Sequence, residues 1–313
     1  MTSRRWLSLN DIARQQAVQE AAKSKFRGKR TLKSKITPHY KENLEREYKR
    51  ITNAYMYLLR DTLTKYLPVI QKAAKAQNRR DSAIHTDAND LETVIRETFR
   101  AMNVELDKKA EHFMLRSKLE KLSNLTRKLT VKEWKRVVSS TLGIDITEDY
   151  YLGEFYREQL KVWTDNNVDL IKSIPADSLS EMQDIVEHGF AAGSSTTDII
   201  REIQNTYGVS KRKAAFLARD QMAKLNADLT RSQQTDAGVS EYIWSSSGDG
   251  RVRDRHRFLD GKTFRWSDPP VVDVKTGRRA HPGEDYQCRC VAIPKFDIDT
   301  LDLPMSGTSN EGG

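Results

Sequence analysis

From His39 to Gln77 the apolar residues Leu44, Tyr48, Ile51, Tyr55, Leu58, Leu59, Leu63 and Tyr66 recur at steps of three, four or one, which predicts a long amphipathic helix interrupted at Pro68. The polar stretch QNRRDSAIHTDAND then reads as a loop, with Asp87 or Asp90 capping the next helix. From Leu91 the same period runs through Val94, Ile95, Phe99, Met102, Leu106, Ala110, Phe113 and Met114 toward Leu125. Thr130, three residues before Glu133, has the capping-box pattern and predicts a separate, shorter helix through Trp134 and Val137. Gly143 to Thr147 breaks the pattern, and Tyr151, Phe155, Leu160, Trp163, Val168, Leu170 and Ile171 resume it over 148–173. Further helices are expected over 177–191, 195–206 and 210–236, the first two capped by residues such as Asp177 and Ser194 or Ser195. Gly189, Gly193, Gly208 and Gly238 act as breakers. Upstream, residues 8–24 form a short helix capped by Ser8 or Asn10.

After Gly238 the pattern changes. EYIWSSSGDGRVRDRH, KTFRW, DPPVVDV and CRCVAIPKF are short, rich in β-branched and aromatic residues, and separated by Gly, Asp and Pro. Leu259-Asp260-Gly261-Lys262 reads as a hairpin turn, and Arg251, Arg253, Arg255 and Arg257 would share one face of a strand. LDLPMSGTSNEGG holds too little apolar material to pack. The expected fold is mainly α: an elongated helical N-terminal body with a small α+β C-terminal module. Its expected divisions are a basic arm over 1–36, a helical body over 37–176, a domain over 177–296 whose strands lie in 239–296, and a disordered tail over 297–313.

Composition sharpens this. The 313 residues are 37% hydrophobic and 31% charged, with a formal net charge of +9. Residues 1–36 carry ten Lys or Arg against two acidic residues, so most of the excess is N-terminal. The basic stretch from Lys23 to Lys35 reads as a linker or arm, in which Lys23, Lys25, Arg27, Lys29, Arg30, Lys33 and Lys35 are candidates to neutralise phosphates without reading sequence; an acidic protein surface competes for the same charges. Arg4 and Arg5 are not followed by the apolar run of an export signal, and no segment is apolar enough to span a bilayer, so a soluble cytoplasmic product is expected.

The two cysteines, Cys288 and Cys290, are one residue apart, and a bond between them would close a small strained ring. With His256 and His281 they are the four most natural Zn²⁺ ligands of the chain, all within a loop-rich stretch that a structural metal would staple. The alternative is that the thiols pack as small apolar groups while the histidines hydrogen-bond in loops. Asp249, Asp254, Asp260, Glu284 and Asp285 flank these histidines and suggest a second chemistry, metal-dependent hydrolysis with His256 as base, although Asp residues in turns also serve the backbone. The P-loop, the G-x-G-x-x-G fingerprint, H-E-x-x-H and G-x-S-x-G are absent from the sequence.

Trp244, Arg253, His256, Leu259-Asp260-Gly261-Lys262, a proline pair near 270 and Cys288-Arg289-Cys290 follow one another in an order that resembles the Mu F-like, phage head-morphogenesis family. The likeness extends over about 180–293 and includes the helix step Ala218-Arg219-Asp220-Gln221, where the acidic residue stands one place earlier than in the family's A-R-T-E. The resemblance implies a minor head protein inside the virion near the portal, made in the host cytoplasm. Its implied partners are the portal protein and phage DNA, with scaffold or major capsid protein as further candidates, and its implied role is in head assembly and in DNA packaging or delivery. It implies a non-enzymatic protein; the competing expectation is a metal-dependent nuclease or toxin-like enzyme in the C-terminal module.

Overall fold

The computed structural model describes residues 9–80 and 88–305. The side chains of the expected caps Ser8, Asn10, Asp87 and Asp90 lie outside the described residues, as does the expected tail from 306 to 313. The elements in chain order are α1 Leu9–Phe26, β1 Thr31–Lys33, α2 Glu42–Arg80, α3 Ala88–Phe113, α4 Leu115–Leu142, a 3₁₀ turn Asp149–Leu152, α5 Glu154–Ala191 and α6 Thr196–Asp236. They continue with β2 Glu241–Ser245, α7 Asp254–Leu259, β3 Thr263–Arg265, β4 Val271–Asp273, β5 Arg278–Arg279 and β6 Val291–Asp297. The chain is mainly α, with a small α+β module near its C-terminal end.

Several helices run through positions where the local signal predicts an end. α2 continues past Pro68 because Leu63, Ile70 and Ala74 are buried on either side of it, and that continuous apolar face offsets one missing backbone donor. α5 passes Pro175 in the same way, between buried Ile171, Ile174, Leu179 and Met182, so Asp177 lies inside a helix instead of capping one. α6 absorbs Gly208. Thr130 is likewise interior to α4, where its hydroxyl donates to the Arg127 carbonyl at 2.9 Å; the break falls earlier, at Met114, whose φ is 55°. Ser195 does cap α6, its Oγ accepting the Asp198 N–H at 3.1 Å.

The chain forms two compact units, one drawn from Met1–Leu44, Ser123–Lys161 and Asp220–Gly313, the other from Glu45–Leu122 and Val162–Arg219. These replace the expected linear division at 176/177, because each boundary falls within a long helix and not in a loop. The all-helical unit has a core of Met56, Leu59, Leu63, Phe99, Met102, Leu179, Met182 and Ile199, among others. In the same unit the buried Tyr48 hydroxyl donates to Asn167 Oδ1 at 2.7 Å.

The other unit contains an antiparallel sheet of order β1-β6-β2-β3 and a separate β4-β5 pair. Its edge strand corrects the expectation of a flexible basic arm. Leu32 pairs with Phe296 and Thr31 with Asp297, while Val18, Ala22 and Phe26 bury one side of α1. The expected tail is likewise ordered as far as Met305. Leu301 and Leu303 are buried, Thr147 N–H donates to the Pro304 carbonyl at 2.8 Å, and Arg14 holds Asp302 through two hydrogen bonds of 2.9 and 2.8 Å. Two leucines in an otherwise polar stretch suffice, because the chain runs back over its own domain. Trp134 stacks on Phe296 with ring centroids 5.9 Å apart. Among the described residues no helix is long and apolar enough to cross a membrane.

Candidate metal centre

Three segments of the sheet-containing unit meet around His256. β2 supplies Trp244, fully buried. The short helix α7 turns His256 and Leu259 inward and leaves its charged residues outside. The third segment is the loop from His281 to Cys290. Gly283, with a φ of 88°, lets this loop pass α6: a Cβ there would lie 2.8 Å from the Ala227 Cβ. Gln287 has a left-handed φ of 52°, and its N–H is held by Asp220 Oδ1 of α6 at 3.1 Å. Beyond it, Cys288 and Cys290, separated by Arg289 alone, are both buried.

His256 Nδ1 lies 3.5 Å from Cys288 Sγ and 3.7 Å from Cys290 Sγ, and all three atoms fall within 4.8 Å of one another. On the opposite edge of the ring, Nε2 is 3.0 Å from Asp285 Oδ2. Asp285 is held in turn by Arg253 Nη1 at 2.9 Å and Arg278 Nη2 at 2.9 Å. The Gly283 and Cys290 N–H groups each point at Cys288 Sγ at 3.4 Å. The Trp244 ring stands edge-on to the imidazole at 5.4 Å, in an apolar cluster with Tyr242, Leu259, Trp266 and Val272.

This geometry biases every titration in the cluster. The Cys290 side chain, more than any other neighbour, holds the Cys288 thiol well below its ordinary value against the opposing effect of burial, with His256 and the Gly283 amide adding to it. The same pairing with Cys288, together with burial, pushes the Cys290 thiol up. Burial by itself would lower His256, but its hydrogen bonds to Asp285 and Cys288 outweigh that and push it up to about 9. Burial would raise Asp285, and His256 with the neighbouring guanidinium groups holds it low. The cluster therefore favours a thiolate at Cys288. Thiolate and imidazole donors of this kind suit a soft or borderline divalent metal, or a thiol nucleophile beside an oriented base.

Of the four candidate ligands, the structure brings His256, Cys288 and Cys290 together and leaves His281 apart. The His281 Nδ1 is hydrogen-bonded to the Tyr242 hydroxyl at 2.8 Å, and its backbone N–H donates to Glu284 Oε2 at 2.7 Å. Most of the flanking acids serve turns. Asp249 accepts the Arg251 N–H, Asp260 accepts the Ser246 N–H, and Asp254 is exposed beside Arg257. Only Asp285 reaches the cluster. The arginines 251–257 do not share a strand face, because residues 254–259 are helical; Arg255 instead donates to the Val271 carbonyl at 2.8 Å. Leu259-Asp260-Gly261-Lys262 ends α7 and leads into β3, so it is not a hairpin turn. Arg278 and the structural role of Asp220 escape sequence reading; the one pointer is the position of Asp220 in the helix step beside Arg219.

A family model described as phage Mu protein F like protein matches residues 180–293. Over these residues, about a third of the chain, the sequence is similar to that family. A curated protein of Haemophilus influenzae, described as an uncharacterized protein, is 37% identical over 155 residues, which are 50% of this chain and 33% of that protein. The chain thus spans about a third of the length of that relative. No solved structure matches it. Within the Mu F-like domain the motif residues have distinct places. Gly261, at a φ of 73°, donates its N–H to the Trp244 carbonyl at 2.8 Å, and Arg253 bridges Asp285 and the Tyr286 carbonyl. Arg289, between the cysteines, turns away from them toward Glu42 and Asp249.

Proposed function

We propose that the protein is a minor component of a phage head, stationed near the portal and acting in head morphogenesis and in the packaging or delivery of DNA. The observation that carries this reading is the Mu F-like domain itself, matched from 180 to 293 and folded around its own motif residues. Among the described residues, α1, β1 and the segment up to Met305 are all built into the structure, so what they offer to a portal, scaffold or major capsid protein is a folded surface.

DNA is the second partner in this proposal. Lys23, Lys25, Arg27, Lys29, Arg30, Lys33 and Lys35 are all exposed, although Lys23 pairs with Glu20 at 3.2 Å and Arg30 with Asp297 at 3.1 Å and Asp299 at 3.2 Å. Cations held on α1, on β1 and in the turns beside them present charge to a polyanion with less ordering cost than a free arm. The reading is tested by protein mass spectrometry of purified procapsids and DNA-filled virions, together with co-purification with the portal. Presence in both particles and in the portal fraction is expected. Absence from purified particles overturns it.

A further inference from the structure

We infer that His256 Nδ1, Cys288 Sγ and Cys290 Sγ bind one zinc ion, with Asp285 as the positioning residue behind the imidazole. The inference concerns the folded domain and does not depend on the role in the head.

The distances set the case. A tetrahedral zinc with bonds of about 2.3 Å to sulfur and 2.0–2.1 Å to nitrogen spaces its sulfur and nitrogen ligands roughly 3.5 Å apart. His256 Nδ1 lies 3.5 and 3.7 Å from the two sulfurs, so an ion fits between them with little movement. Which ring nitrogen faces the ion is also fixed. Asp285 takes Nε2, leaving Nδ1 and its lone pair toward the sulfurs, as in carboxylate–histidine–metal arrangements. N–H groups of Gly283 and Cys290 directed at Cys288 Sγ stabilise a thiolate there.

Charge leads to the same assignment. Two thiolates balance a divalent ion, and Asp285, nearly fully buried, is balanced by Arg253 and Arg278. A catalytic thiol fits less well, since Cys288 is only 4% exposed and Cys290 5%. No fourth His, Cys, Asp or Glu joins this group among the described residues, so one tetrahedral position is left for a ligand from outside the set.

The test uses the full chain, purified without metal-affinity resin and analysed for bound metals by mass spectrometry. One zinc per chain is expected. Exchange for cobalt should give a sulfur-to-cobalt charge-transfer band and a tetrahedral ligand-field envelope. Cys288→Ser, Cys290→Ser and His256→Gln should each lose more than nine-tenths of the zinc, while His281→Gln keeps it. Asp285→Asn should retain the cobalt spectrum yet weaken zinc binding by about 10–100-fold in competition with a chromophoric chelator, the effect typical of removing the partner behind a ligand. Far-ultraviolet circular dichroism reports folding of each variant, and if the ligand variants do not fold the wild-type cobalt spectrum decides. A folded wild-type chain that carries no zinc and shows no thiolate-to-cobalt band overturns the inference. So does wild-type zinc affinity in folded Cys290→Ser or His256→Gln.

Discussion

Three donors converge on Glu105 in the helical unit: Lys109 at 2.8 Å, the Tyr66 hydroxyl at 2.9 Å, and Lys65. The hydrogen bond from Lys109, followed by those from Lys65 and Tyr66, lowers the carboxyl to about 2. A carboxylate held below its unfolded value stabilises the fold above the unfolded pKa, and that contribution is lost as pH falls through the folded one. Glu105→Gln should therefore lower the urea midpoint at neutral pH, with the difference from wild type shrinking below about pH 4.5 and vanishing near pH 2. A pH-independent difference would assign the effect to packing instead. Gly238 makes a steric demand of another kind. Its φ is 75°, and a Cβ there would sit 1.8 Å from the Thr300 carbonyl oxygen, so Gly238→Ala should cost at least about 2 kcal/mol in denaturant unfolding. The need for glycine is local, whereas its neighbour Thr300 is distant in sequence. Only the first is legible from the residues.

Among the elements, the periodic helices are the most legible and their ends the least. Leu44 to Tyr66 mark the face of α2, but Pro68 signals an interruption because its cost is local and the burial of Ile70 and Ala74 that offsets it is not. Pro68 remains a local defect, with an exposed ring and no N–H. Pro68→Ala is expected to stabilise the protein by about 1–3 kcal/mol in thermal or urea unfolding; a loss of stability would show that α2 requires the proline's geometry. The segment after β6 offers the converse case. Leu301→Ala and Leu303→Ala should each cost about 2–5 kcal/mol, as core truncations do, and neutrality of both would return residues 298–305 to the status of a loose tail.

For the whole molecule, the basic N-terminal segment couples fold to proposed function. If it meets DNA, replacing Lys25, Lys29, Lys33 and Lys35 together by Gln should weaken binding uniformly across sequences and flatten the plot of log affinity against log salt by about 0.9 for each phosphate that is no longer neutralised. An unchanged slope would place the DNA-binding surface elsewhere or remove it. The fold class, the switch from helical to strand grammar near residue 239 and the motif residues of the Mu F-like domain were determined by the sequence itself, because periodicity and turn chemistry are short-range properties. Within that domain, Cys288 and Cys290 were legible as candidate ligands beside the alternative that they pack as small apolar groups, because a disulfide across a single residue is strained. The sequence makes His281 the weaker candidate beside them, but only the fold shows the reason: its ring meets the Tyr242 hydroxyl, while Asp285 turns the His256 ring toward the sulfurs. The tertiary structure also decided that a basic stretch near the N-terminus closes the edge of a sheet whose other strands begin at Glu241. Pairing between strands as far apart in the chain as Thr31 and Asp297 depends on backbone hydrogen bonds that any sequence can make, so no local pattern announces it.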